Sequence, residues 1–273
     1  MSWSTLKTEA IVLTSEPFRE ADRMYTALTP DNGKVSFLGR GARKGKAKLA
    51  AHLEPFAIVD IEIVRGKRST TVISVERIKG FANIRESLDK RLLIQTSLSL
   101  LNKHTREHDY DPCLYAELLD WLEFVDSQFS VTPVRATFIL GSFALRIMRH
   151  LGYDVQLNDC IQCKQKVMPL SFRWHADKGG LVCSDCLSEK PEEWFSARPI
   201  REEVVKLLRF ARGAGYPDLL KPSLLADDLD AYARIVHDLM VFHLPVDSDV
   251  PFWAGVLEDK ERQLEQANTE QSA

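Results

Sequence analysis

Apolar and polar residues alternate through the first 80 positions and then change to a helical spacing. The alternation is plainest in Phe56–Val64. There Ala57, Val59, Ile61 and Ile63 share one face, and Asp60 and Glu62 lie on the other. A half-buried strand has this period of two. Shorter apolar runs at Ala10–Leu13, Arg23–Leu28 and Lys34–Leu38 predict three strands before it. Ser69–Arg77, rich in Thr, Val and Ile, predicts a fifth strand after it. Asp31-Asn32-Gly33 is a hairpin-type turn, because Asn-Gly readily supplies positive φ. Arg65-Gly66-Lys67-Arg68 is the turn between the last two strands. Five short strands in about 80 residues predict a small closed barrel, for which an OB-fold is one solution. From the pattern alone an SH3-like barrel fits nearly as well.

Beyond Phe81 the apolar positions recur at period 3.6. A helix is predicted over Arg85–Lys103, with Leu88, Leu92, Leu93 and Leu100 inside. Asp111-Pro112 supplies an N-cap and a proline at the first helical position, opening a helix that runs to about Phe129. Its apolar stripe is Leu114, Leu118, Trp121, Leu122, Val125 and Phe129. Thr132-Pro133 repeats the start signal, and Gly152 closes the third helix. Arg201–Arg212 and Asp227–Phe242 are two more helices, separated by Gly213-Ala-Gly-Tyr-Pro217. These stripes read as a common core rather than a ligand pocket. The residues from about Leu257 are polar and predict a disordered tail. The expected class is α+β: a barrel over 1–80, a helical domain over 81–256, and a tail over 257–273.

Cysteine spacing adds a metal site to the helical part. Cys160-Ile-Gln-Cys163 is followed by nineteen residues and then Cys183-Ser-Asp-Cys186. Two such pairs aim four sulfurs at one point, which predicts a tetrahedral zinc site in a module at 158–188. Thiolate sulfur is soft and anionic, so it outcompetes water for the ion. Four cysteines close the shell, so one structural Zn2+ per chain is expected. His175, between the pairs, is expected to pack rather than to bind metal. Paired disulfides are the alternative, but they suit small secreted domains. No apolar run approaches the roughly 18–20 residues of a membrane span, and the start of the chain has no apolar core. Cytoplasmic residence with reduced thiols is therefore expected. Cys113 is read as a small buried apolar residue.

The net charge of −3 conceals an asymmetry. Residues 1–80 carry 14 Lys/Arg against 9 Asp/Glu, and the remainder carries 22 against 30. A basic front on an acidic body suggests a polyanion partner at the front. Its densest part is Gly39-Arg-Gly-Ala-Arg-Lys-Gly-Lys-Ala-Lys48. Glycines let the backbone bend close to a phosphate, and the cations displace counterions from a nucleic-acid backbone. Arg40, Arg43, Lys44, Lys46 and Lys48 are predicted to contact phosphates, with Lys34, Arg65, Lys67 and Arg68 as lesser candidates at neighbouring turns. Phe37 and Phe56 could stack bases, but a barrel-core role is predicted for both. In the helix Thr132–Leu151, the residues Arg135, Ser142, Arg146 and Arg149 fall within an arc of roughly 60°, a narrow basic stripe opposite the apolar side.

In order along the chain stand Glu20-Ala-Asp22, Asn32-Gly-Lys34, Gly39-Arg-Gly-Ala-Arg-Lys44, Leu53-Glu-Pro-Phe56, Leu151-Gly-Tyr153 and Gly179-Gly-Leu-Val-Cys183. In these pieces, and above all in their order, the chain resembles the RecO family of bacterial DNA repair proteins over roughly residues 5–245. The resemblance implies an N-terminal OB-fold, a helical body and a zinc module. It implies a recombination mediator rather than an enzyme. Such proteins bind single- and double-stranded DNA, anneal complementary strands, engage single-strand-binding protein and RecR, and help load RecA, which places them at the nucleoid. The acidic C-terminal tail of single-strand-binding protein needs guanidinium groups beside an apolar notch, so the resemblance makes Arg135, Arg146 and Arg149 its expected contacts near Phe138 or Leu145. Lys164 departs from the family, many of whose members have glycine there. Two other classes compete. A zinc hydrolase or nuclease needs an open metal position, yet the chain has no His-x-Glu or Asp-x-Asp cluster and no phosphate-binding P-loop. A zinc-ribbon protein acting in transcription or on RNA is the closer alternative.

Overall fold

The computed structural model describes residues 4–44, 49–66, 69–127, 130–168 and 171–246. Five strands, β1 (Ser4–Phe18), β2 (Asp22–Thr29), β3 (Gly33–Gly39), β4 (Ile58–Arg65) and β5 (Thr70–Lys79), close into a barrel in the order β1-β2-β3-β5-β4. β1 is far longer than its apolar run at Ala10–Leu13. Its first half pairs with β4 over Ser4–Ile11, and its second half pairs with β2 over Ile11–Phe18. A register shift between Val12 and Thr14 bends the strand so that it can serve both neighbours. Backbone pairing, not side-chain hydrophobicity, fixes those outer halves. The barrel closes through a parallel contact between Leu38 of β3 and Thr71 of β5. This is an OB-fold barrel. The alternation read from β4 is realised: Val59, Ile61 and Ile63 point inward and pack with Val12, Ala27 and Phe37. Phe37 stacks on Tyr25 with ring centroids 5.8 Å apart, and Phe56 is buried as well.

Helices follow. The single helix expected over Arg85–Lys103 is two, α1 (Ala82–Glu86) and α2 (Leu88–His104). Ser87 is extended between them, and its side chain accepts a hydrogen bond from Lys90 N, which restarts the helix. The break turns Leu88 outward, to 37% exposure, while Leu93 and Leu100 stay inside. α3 (Pro112–Asp126) starts where expected: Asp111 Oδ1 accepts from Cys113 N at 2.9 Å and from Leu114 N at 3.2 Å. Cys113 is exposed, not buried, because it lies in the first turn of α3 opposite Leu114 and Leu118.

By its internal contacts the chain divides into two compact units, Met1–Phe129 and Ser130–Ala273. Helices α1–α3 therefore belong to the unit that contains the barrel. Lys34 shows how they are joined. Its side chain is only 9% exposed, and its ammonium donates to the carbonyls of Asn102 (2.7 Å) and Thr105 at the end of α2. Those carbonyls have no partner inside the helix, so the cation caps the negative helix end. This removes Lys34 from the expected phosphate contacts. Burial, offset in part by Glu107, holds its pKa below the usual lysine range. Beside it, Gly33 has φ +61, and a Cβ there would lie 2.1 Å from Asp109 O. Only glycine allows the hairpin to meet the loop after α2 this closely. Tyr115 of α3 completes the join, donating to Glu9 of β1 at 2.6 Å.

The second unit is built around α4 (Pro133–His150), in which every residue from Ala136 to Met148 is buried. Packed with it are α6 (Glu202–Gly213), a 3-10 turn at Tyr216–Leu220, and α7 (Ala226–His243). The three-stranded sheet of this unit, β6 (Phe172–His175), β7 (Gly180–Cys183) and β8 (Arg198–Pro199), has the order β7-β6-β8, and α5 (Ser184–Glu189) follows β7 directly. Gly141 lets α7 approach, since a Cβ there would lie 2.7 Å from the Tyr232 ring. Most of the polar stripe of α4 is turned inward, with Arg149 its exposed member. Ser142 is fully buried and donates to Ala211 O. Arg146, 9% exposed, donates to Ala214 O and lies 4.2 Å from the Tyr216 ring centroid. Arg135 donates to Leu219 O at 2.8 Å and Pro222 O at 3.0 Å. The stripe is a seam that satisfies carbonyls at and beyond the end of α6. Phe138 and Leu145, expected to edge a notch, are buried in the core.

Candidate nucleic-acid interface and metal centre

The outer face of β2 and β3 carries a groove of about 560 Å³, bounded by the turn after β1 and by Ser69 and Thr70 at the start of β5. OB-folds bind oligonucleotides on this face and with these two loops. Met24, Ser36 and Leu38 form its floor, and Phe18, Arg19 and Arg40 stand on its lining. Arg19 has φ +56 and holds its guanidinium carbon 5.2 Å from the Phe18 ring centroid, a cation–π contact. The basic segment after β3 is tied to the turn after β1 in three places. Gly41 N donates to Asp22 Oδ1 (2.8 Å), Arg43 N to Ala21 O (2.9 Å), and Arg43 Nη1 to Arg19 O (2.9 Å). These bonds bring Arg19, Arg40 and Arg43 to one end of the barrel, and Arg40, Arg43 and Lys44 are all exposed. The one acidic residue of the lining, Asp22, is occupied by the Gly41 N–H. Arg65 is exposed at the end of β4. Lys46, Lys48, Lys67 and Arg68 lie outside the described residues. Arg19 and Phe18 escaped the sequence reading because a lone Phe-Arg pair after a strand carries no periodic or charge-run signal.

In the second unit the four cysteines meet. The Sγ atoms of Cys160, Cys163, Cys183 and Cys186 all lie within 4.8 Å of one another. Cys160 and Cys163 come from a turn in which Lys164 N donates to Cys160 O at 3.0 Å and Lys164 takes φ +60. That left-handed conformation explains why a glycine suits this position. Cys183 ends β7 and Cys186 lies in the first turn of α5, so the hairpin of β6 and β7 returns the chain to the first pair. Cys183 N donates to Cys160 Sγ at 3.4 Å. Burial raises the Cys160 thiol, but the N–H groups of Cys183, Cys163 and Gln162 outweigh it and bring the pKa down to about 6. Cys186 is pushed the other way by burial and by its sulfur neighbours. A bound cation reverses that crowding, because it favours all four thiolates. The cluster could hold a metal ion, and its all-sulfur donor set is soft. His175 is not a ligand. It is buried, its Nδ1 accepts from Lys178 N (3.2 Å), its Nε2 meets Ser196 Oγ (3.0 Å), and its ring meets Trp194 edge-on.

The module is fastened to α6 by two arginines. Arg209 donates twice to Leu157 O, at 3.1 and 2.6 Å, and Arg212 grips both carboxylate oxygens of Asp154. The hydrogen bonds from Arg212 outweigh burial and hold the Asp154 carboxyl below its ordinary range. Among the described residues no helix is long and apolar enough to cross a membrane.

An OB barrel with a basic rim, followed by a helical unit in which four cysteines converge, defines a class of modular protein. The family model described as Recombination protein O N terminal matches residues 1–81, and that described as Recombination protein O C terminal matches residues 85–248. The chain belongs to the RecO family. Among curated relatives named DNA repair protein RecO, one from Dehalococcoides mccartyi is 29% identical over 251 residues, covering 92% of this chain and 95% of the relative. One from Caldanaerobacter subterraneus is 29% identical over 257 residues, covering 93% and 99%. One from Rubrobacter xylanophilus is 30% identical over 227 residues, covering 79% and 87%.

Proposed function

We propose that this RecO-family chain is a non-enzymatic mediator of DNA repair and recombination that grips the backbones of single- and double-stranded DNA and anneals complementary strands. The observation that carries the reading is the groove over β2 and β3 with Arg19, Arg40, Arg43 and Lys44 gathered at its end. Two DNA strands repel each other through their phosphates. A cationic rim neutralises that repulsion, and base pairing then supplies the sequence information. Lys46, Lys48, Arg65, Lys67 and Arg68 extend the same cationic set along the chain. In this reading Cys160, Cys163, Cys183 and Cys186 hold one structural Zn2+, with no fourth position left for a reacting water. The mediator works with RecR at the nucleoid and helps replace single-strand-binding protein by RecA. For the acidic tail of single-strand-binding protein, Arg149 is the exposed arginine of the original stripe, whereas Arg135 and Arg146 donate to backbone carbonyls. Arg234 of α7 is a further candidate: it has no acidic partner among the described residues and lines two grooves, one with Asp230 and one with Asp238, Arg198 and Arg201.

The test is annealing of complementary oligonucleotides coated with single-strand-binding protein. The wild-type chain should accelerate it. Arg40→Ala with Lys44→Ala should slow it and reduce the salt slope of single-strand binding by about 0.7 for each lost contact. Unchanged annealing and an unchanged slope would show that the rim is only a solvated charge cluster.

A further inference from the structure

The metal module carries a second groove that the barrel reading does not use. Its volume is about 400 Å³, and it is lined by Arg173, Ser184, Leu187, Ser188, Pro191, Trp194 and Phe195. Three features of this lining lack an internal explanation. Phe195 is 86% exposed, the largest exposure of any large apolar side chain described. Trp194 is buried, yet its indole N–H finds no acceptor among the described residues. Arg173 is exposed on β6 and has no ion-pair or hydrogen-bond partner for its guanidinium among them. Arg173 is also the one charged residue of the lining.

An exposed ring carries a penalty in water, which a flat apolar partner relieves. Arginine adds a site for one phosphate. A planar apolar face, a polar edge and one phosphate are together the parts of an unpaired nucleotide. We infer that this groove binds single-stranded DNA: one base stacks on Phe195, its polar edge faces Ser184 and Ser188, and the adjoining phosphate meets Arg173. Duplex DNA cannot use the site, because its bases are already stacked and paired. Trp194, beside Phe195, is packed by His175 edge-on and by Lys178 Nζ 3.9 Å above its ring centroid. This inference rests on the DNA-binding reading and adds to it a strand-selective site on the metal module.

The experiment uses the full chain with its metal content verified, an oligothymidine and a DNA duplex, with binding followed by fluorescence anisotropy. Phe195 is exposed, so its replacement leaves the fold intact. Phe195→Ala should weaken oligothymidine binding about tenfold, the scale of one lost base–aromatic stack. It should leave duplex affinity unchanged, and Phe195→Trp should restore the single-strand affinity. Arg173→Ala should lower the single-strand salt slope by about 0.7. If Phe195→Ala binds oligothymidine like the wild type while Arg40→Ala does not, the inference falls and the barrel reading stands. If wild-type protein binds neither DNA, the mediator reading falls with it.

Discussion

The barrel closes on itself, whereas the small sheet of the metal module does not. In the barrel every strand has two neighbours, and among the described residues thirteen buried ones form one cluster. In the module the three strands do not close, the outer edge of β7 meets only the backbone of Gln156 and Ile161, and among the described residues the core cluster has five buried members, of which two are Cys160 and Cys186. A core that small cannot hold the chain by apolar burial alone. The sulfur cluster supplies what the module lacks, so its order should depend on the metal, and the barrel's should not.

Metal removal tests that contrast most strongly. Structural zinc contributes on the order of 10 kcal/mol to small domains that bind it. Chelation, or Cys183→Ser, should abolish amide-exchange protection in β6 and β7 and leave β1–β4 protected, with barrel DNA binding retained. Equal loss of protection in the barrel would break the contrast. The converse experiment is smaller. Phe37→Ala opens a cavity against Tyr25 in the barrel and should destabilise the first unit by about 3–5 kcal/mol, while metal content stays at one ion per chain. The smallest effect concerns how the module is fastened. The Asp154 carboxyl is held below its ordinary pKa of 3.8, chiefly by the Arg212 hydrogen bonds. Its contribution to stability is therefore complete above that ordinary value and is lost as pH falls through the lower, folded one. Asp154→Asn should cost about 1 kcal/mol near neutrality, a figure kept low by the pair's partial exposure, and the difference from wild type should vanish in acid. Denaturant titrations at several pH values measure it.

Patterns carried by neighbours in sequence were legible. The alternation of Val59, Ile61 and Ile63, the Asn32-Gly33 turn, the Asp111 and Thr132 caps and the cysteine quartet each state their structure within a few residues. What was not legible depended on distant partners. The Arg135–Arg146 stripe looked like a helix surface because periodicity reports which residues share a face, not which element covers that face. The carbonyls that bind it come from residues 211–222, some seventy or more positions away. Lys34 resembled a loop cation for the same reason. Lys46, Lys48, Lys67 and Arg68 remain sequence expectations. Phe195 and Arg173 stand 22 residues apart and meet only through the module's fold.

The Lys34 cap also bears on where this chain can be cut. The family boundary at residue 81 looks like a natural place to excise the barrel. Such a fragment would leave the Lys34 ammonium without the Asn102 and Thr105 carbonyls, Glu9 without the Tyr115 hydroxyl, and the Gly33 hairpin without the loop that covers it. A fragment continued through α3, to about residue 127, keeps all three. A minimal DNA-binding piece prepared for spectroscopy or for grafting onto another scaffold should therefore end after α3, not where the strands stop.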